Sequence, residues 1–279
     1  MTASAIAESA ITINTENYQL LAILHSSKSD SKVGVLVVVG GPQYRVGSHR
    51  QFVQLSRALA KQGIPSMRFD YTGMGDSGGE KKSFEHICDD IAAACDVMCQ
   101  QLNINEIVIW GLCDAASAAM IYAHKDARVS GLVILNPWLR SDAAMGKTML
   151  KYYYLQRLLS KNFWKKLLKG KINVASSVGD AKGFVKDSMT SQDNEEHSYQ
   201  SRMQAGLSAF NGKICLILSG VDLTAKEFEQ QSLDNKNWQV LKSERTHIHR
   251  LEQADHTFSS SSFKREVENI TTEFVNTLN

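Results

Sequence analysis

A chain of 279 residues, 43% hydrophobic and with only 3 prolines, has the material for one large globular unit with an insertion. Its net charge of +2 argues neither for nor against nucleic acid, and no nucleic-acid partner is expected. The cysteines Cys88, Cys95, Cys99, Cys113 and Cys215 are odd in number and contain no C-x-x-C pair, so they suit reduced thiols rather than a disulfide frame or a zinc site.

Residues 1–14 lack a basic start followed by an apolar core, and no run approaches the roughly 18 apolar residues that span a bilayer. The expectation is a soluble cytoplasmic protein. Tyr18 to His25 reads as an early strand. Val33 to Val39 is a β-branched run of the kind buried on both faces of a parallel sheet, stopped by Gly40-Gly41-Pro42. Ser48 to Gln62 has helical spacing at Phe52, Leu55 and Leu59. Ile64 to Asp70 is the next strand, followed by the glycine-rich loop Tyr71 to Glu80. Ser83 caps a helix over about Phe84 to Leu102. Strands over Glu106 to Trp110, Val129 to Leu135 and Lys213 to Leu218 follow, then a short one over Ile248 to Leu251. A helix over Phe263 to Leu278 ends the chain. Alternation of strands and helices predicts an α/β fold with a mostly parallel, doubly wound sheet.

The alternation lapses between Pro137 and about Gly206. The expected organisation is a core of residues 1–136 and 207–279 with an inserted helical cap at 137–206. Residues 147–186 carry nine lysines and one arginine against Asp180, a local charge of +9 that leaves −7 for the remainder. Within it, Lys151 to Lys171 mixes aromatic and aliphatic residues with seven basic ones. Such a segment could contact an anionic membrane peripherally or grip an anionic lipid-linked substrate. The plainer reading, preferred here, is a cap whose apolar face covers a site and whose lysines are solvated.

Cys113 is the residue that speaks most directly of chemistry. It stands between the strand ending at Trp110 and a helix over Ala115 to Ala123, in Gly111-Leu112-Cys113-Asp114-Ala115. Strand, sharp turn and helix with a nucleophile at the turn make a nucleophile elbow, with cysteine where serine usually stands. A free thiol is only a few per cent ionised at pH 7, so it needs a base, and the base needs a carboxylate to fix its tautomer. Asp222, in the loop after the 213–218 strand, fills the acid position; it would equally cap the helix Thr224 to Gln231. His256, after the last strand, fills the base position. His247 and His249 fall at alternating positions around that strand, where one would project sideways, not off its end. The expected catalytic set is Cys113, Asp222 and His256, with oxyanion donors at the backbone N–H groups of Gly41 and Asp114. Arg45 could meet a substrate carboxylate or phosphate, or stand in a salt bridge. The loop Gly73-x-Gly75-x-Ser77-Gly78-Gly79 has neither P-loop nor dinucleotide spacing and reads as structural, with Asp70 in local hydrogen bonds. No cofactor and no metal are expected.

The segments VLVVVGGP, RFDYTGMGDSGG, IVIWGLCDAASA, LILSGVDLTAKEF and ADHTFS, in this order, resemble the α/β-hydrolase superfamily. GGPQYRVGSHRQF, GLCDAASA and ADHTFSS resemble more closely the exosortase A system-associated hydrolases, type 1, which occur with bacterial systems that sort PEP-CTERM proteins and make exopolysaccharide. The resemblance implies an α/β-hydrolase fold and a hydrolase in that setting. Two functions stand beside each other at this point. One is a cysteine-dependent acyl hydrolase or acyl transferase acting on esters, thioesters or lactones of a small-molecule or lipid-linked substrate. The other is a catalytically silent binding or scaffold protein on the same fold.

Overall fold

The structure, a computed structural model, describes residues 7–26, 31–41, 43–140 and 198–278. An eight-stranded sheet runs through it in the order β1-β2-β4-β3-β5-β6-β7-β8. The strands are β1 (Ala7–Asn14), β2 (Gln19–Ser26), β3 (Val33–Val38), β4 (Ser66–Phe69), β5 (Glu106–Leu112), β6 (Val129–Leu135), β7 (Lys213–Ser219) and β8 (Thr246–Leu251). β1 pairs antiparallel with β2, and β2 antiparallel with β4. All other pairings are parallel. This is the α/β-hydrolase fold.

The central strands explain themselves. β3, VGVLVV, is buried along its whole length, as are six residues of β5 and of β7. Branched apolar side chains on both faces suit a strand covered by helices on both sides. Each fully buried Val, Leu or Ile contributes about 1.5–3 kcal/mol against exposure.

Among the described residues the α-helices are α1 (Gln51–Lys61), α2 (Cys88–Leu102), α3 (Asp114–Tyr122), α4 (Tyr199–Ala209), α5 (Leu223–Ser232) and α6 (Ser261–Asn276). Phe52, Leu55 and Leu59 of α1 and Val267, Ile270 and Phe274 of α6 pack with Val35, Val37, Val108 and Trp110 on one face of the sheet. Ile91 and Met98 of α2, the alanines of α3, Met203 and Leu207 of α4 and Phe228 of α5 pack with Leu36, Ile109 and Ile134 on the other.

Several boundaries differ from expectation for local reasons. His49 and Arg50 adopt positive φ (52° and 60°), so regular helix starts at Gln51 rather than at Ser48. Ser83 does cap, accepting from the Glu85 N–H at 3.5 Å, but only a short turn, Phe84–His86, follows before α2 begins at Cys88. Ser260 accepts from the Phe263 N–H at 3.2 Å and starts α6 two residues before Phe263. β1 has no counterpart in the sequence expectations. It is a largely exposed edge strand in which Ile13 alone is buried, aligned by its hairpin with β2.

Of the expected cap, residues 141–197 lie outside the described residues, and with them the whole basic stretch and the membrane contact considered for it. The C-terminal end of that segment is described. There α4 lies directly on α3, close enough that a Cβ on Gly206 would stand 3.2 Å from Ile121 Cα. The expected boundary at 206/207 therefore cuts through a helix of the core layer.

Candidate active site

Three parallel strands deliver the expected residues to one edge of the sheet. Cys113 follows β5, Asp222 follows β7 and His256 follows β8. Their common location is a consequence of parallel pairing, which puts every strand's C-terminal end on the same side.

Cys113 has φ 62° and ψ −123°, a conformation that an L-residue adopts at a cost of order 1–3 kcal/mol. The surroundings fix it from both sides. Its N–H donates to Leu135 O at 2.9 Å. Its carbonyl accepts from the N–H groups of Ser117 and Trp138, both at 3.2 Å, and from Ser117 Oγ at 3.3 Å. The helix turns back so sharply that a Cβ on Gly111 would lie 2.7 Å from the Ala115 carbonyl. Glycine at 111 and alanine at 115 meet that limit. The turn leaves the thiol at the N-terminus of α3, where the peptide dipoles present partial positive charge.

Asp222 makes contacts on two sides. Its carboxylate accepts from the Thr224 and Ala225 N–H groups at 3.3 and 3.0 Å, capping α5. The same carboxylate meets His256 Nδ1 at 2.8 Å. Side-chain exposure is 9% for Asp222 and 34% for His256, so the acid is enclosed and the imidazole opens toward the surface. The Cys113 side chain is the second neighbour that favours the protonated ring. Asp222 first, and then Cys113, push His256 from its ordinary 6.5 up to about 10, against the opposing effect of burial.

This shift has a thermodynamic consequence. A proton that binds more tightly in the folded state stabilises the fold fully below about pH 6.5, and that contribution is lost as pH rises through about 10. His256→Gln is therefore expected to melt below the wild type at about pH 6, with the difference closing by about pH 10.5. Melting curves across that range check it; a difference independent of pH would contradict it.

The two loops are held by a residue outside the expected catalytic set. Asn136, fully buried and at φ 42°, follows β6 between the strands of the nucleophile and the acid. Its amide nitrogen donates to Ser219 Oγ at 2.8 Å and to the His256 carbonyl at 3.0 Å. Its Oδ1 accepts from the Ser219 N–H at 2.8 Å, and Ser219 Oγ donates to Asp255 O at 2.8 Å. The end of β7 and the backbone of the histidine loop are thus joined through one buried amide.

The remaining expectations resolve individually. His247 and His249 lie inside β8, paired with Cys215 and Ile217, and not at its end. Arg45 forms ion pairs with Asp70 and, at 2.6 Å, with Asp76, which favours the salt-bridge reading over a substrate anchor. Asp70 is fully buried and also accepts from the Arg45 and Asp76 N–H groups at 2.6 and 3.2 Å, as a structural loop requires. All five cysteines are free thiols. Burial pushes Cys95 and Cys215 up to about 12. One expectation needs correction: the Gly41 N–H does not stand open beside Cys113 but donates to Asp114 Oδ2 at 2.8 Å.

Comparison with known proteins bears on family and fold. The family model described as serine aminopeptidase, S33, matches residues 31–209. That range includes Cys113 and ends before Asp222 and His256. No curated protein matches the chain. Among solved structures, an esterase of Pyrococcus furiosus is similar at 17% identity and TM-score 0.65, with 98% of this chain and 91% of that one covered. The α/β hydrolase GrgF of Penicillium sp. sh18 is similar at 14% identity and TM-score 0.64, with coverage of 98% and 99%. Mouse α/β hydrolase domain-containing protein 10 follows at 13% identity and TM-score 0.59, with coverage of 97% and 100%. At such identities the likeness is one of fold.

Proposed function

From a chain that belongs to the serine aminopeptidase S33 family, and is therefore an α/β-hydrolase, we propose a cysteine-dependent acyl hydrolase or acyl transferase. Cys113 is the nucleophile, His256 the proton carrier and Asp222 the residue that orients His256. The observation that carries this reading is the His256 ring, bonded through Nδ1 to the Asp222 carboxylate at 2.8 Å beside the strained elbow that presents Cys113. A binding protein has no use for that arrangement, so the catalytically silent alternative is the weaker reading.

The chemistry follows from the arrangement. A protonated imidazole beside a thiol stabilises the thiolate, and the N-terminus of α3 adds to it. Sulfur attacks the carbonyl carbon of the acyl substrate, and the carbonyl electron pair moves onto oxygen. Backbone N–H groups at Asp114 and Gly41 are the candidate donors to that oxygen. Collapse expels the leaving group, which takes the proton from His256, and a thioacyl-enzyme remains. Water, or another acceptor, then gives its proton to His256 and releases the acyl group. Thiolate is itself a good leaving group, so esters, thioesters and lactones suit this centre better than amides.

The sequence resemblance supports a setting in an exosortase and exopolysaccharide system. An acyl group on a small or lipid-linked carrier fits both that setting and the +9 segment at 147–186. The name of the Pyrococcus esterase agrees with ester chemistry.

A substrate panel tests the reading. The protein is expected to hydrolyse p-nitrophenyl acetate and acyl thioesters, to lose that activity on treatment with iodoacetamide, and to leave leucine p-nitroanilide nearly untouched. Absence of turnover on every acyl donor, in folded protein, would favour the binding protein. Preferential cleavage of the anilide would favour an aminopeptidase.

A further inference from the structure

The Asp114 carboxylate has a position that the mechanism above does not use. One oxygen, Oδ2, accepts the Gly41 N–H at 2.8 Å; the other, Oδ1, accepts the Ala115 N–H at 3.0 Å. The space for it is cut into the backbone. A Cβ on Gly40 would collide with Asp114 Oδ1 and lie 2.8 Å from Ala115 N. So the residue after the nucleophile reaches across to the loop after β3 and holds the N–H group that a carbonyl oxygen at Cys113 would need.

We propose that Asp114 sets the strength of the oxyanion site, as a positioning residue whose carboxylate competes with the substrate's oxyanion for the Gly41 N–H. This rests on the acyl-transfer reading of Cys113. An N–H that donates to a carboxylate makes a charge-assisted bond, roughly twice as strong as one between neutral groups. A developing oxyanion must displace that bond or share it. In the resting arrangement the Asp114 carboxylate holds the Gly41 N–H and also draws on its own backbone N–H, so the substrate gains both expected donors only as that carboxylate is displaced. Burial raises the pKa of the Asp114 carboxyl, and the N–H groups of Gly41, Ala115 and Asp114 itself oppose that rise. The carboxylate depends on the N–H it would have to release. A site built this way favours acyl donors with good leaving groups, because they need less oxyanion stabilisation.

Two reactions of the same sulfur separate this role from a structural one. Acylation by p-nitrophenyl acetate passes through an oxyanion: sulfur bonds to the carbonyl carbon, charge gathers on oxygen, and p-nitrophenolate leaves. Alkylation by iodoacetamide displaces iodide at a saturated carbon and forms no oxyanion. Any change in the thiolate population affects both rates alike and cancels in their ratio.

Asp114→Ala is expected to raise the ratio of acylation to alkylation about tenfold, below the 10²–10³ that a full oxyanion donor supplies. Asp114→Asn, which keeps a neutral acceptor for the Gly41 N–H, is expected to give a smaller rise. The gain should appear in kcat rather than KM. A ratio unchanged in both variants overturns the proposal, as does a fall in the ratio. Where alanine prevents folding, the asparagine variant alone decides. Failure of the wild type to be acylated at all, while it is alkylated, would instead remove the reading of the site on which the proposal rests.

Discussion

Cys113→Ala lowers ester turnover by roughly 10⁴- to 10⁶-fold, the range seen when the nucleophile of a cooperating set is removed. The loss is in kcat, because the sulfur contributes to the acyl transition state and little to binding of the ester. Folding is barely disturbed. Alanine can occupy the elbow at the same strained φ, and the bonds that fix the turn are made by backbone N–H and carbonyl groups and by Ser117. Cys113→Ser does not restore the rate. A hydroxyl ionises far less readily than a thiol. Initial rates with p-nitrophenyl acetate, alongside melting temperatures, check both variants. Loss of less than about tenfold in Cys113→Ala would assign the activity to another residue.

Asp222→Asn lowers kcat by about 10³- to 10⁴-fold while leaving the fold intact. The carboxylate makes two kinds of bond, and the substitution separates them. Asparagine caps a helix about as well as aspartate, so the bonds to the Thr224 and Ala225 N–H groups survive. The bond to His256 Nδ1 does not survive in the same sense. A neutral amide neither stabilises the imidazolium nor fixes the tautomer that faces Cys113. Asp222→Ala removes both roles and costs, in addition, about 1 kcal/mol of stability for the lost cap. The two variants together therefore read the catalytic role apart from the capping role. Equal activity in Asp222→Asn and the wild type would leave Asp222 a cap and nothing more.

Most of the central sheet was legible because parallel strands buried on both faces are written as runs of branched apolar residues. β6 lies where its run does, at Val129–Leu135. β1 was not legible. An exposed edge strand carries no such run, and its pairing with β2 supplies the order that its own residues do not. The candidate residues at the strand ends were legible from their order along the chain. Their supports were not. Asn136 acts on Ser219 from 83 positions away, and Asp114 on Gly41 from 73. Periodicity over a window of 11–18 residues reads faces of helices and strands, and it contains nothing about such contacts. The ring contact from His256 to Asp222 likewise depends on two loops meeting across neighbouring strands.

The most direct test of a thioacyl-enzyme is the mass of the protein itself. The wild type is mixed with a slowly hydrolysed p-nitrophenyl ester, quenched in acid and weighed intact, then digested to locate the adduct. The expected result is one acyl group, carried on Cys113, released by neutral hydroxylamine as a thioester should be, and absent from Cys113→Ala. Turnover without any adduct on Cys113, or an acyl group held on a different side chain, would contradict the account.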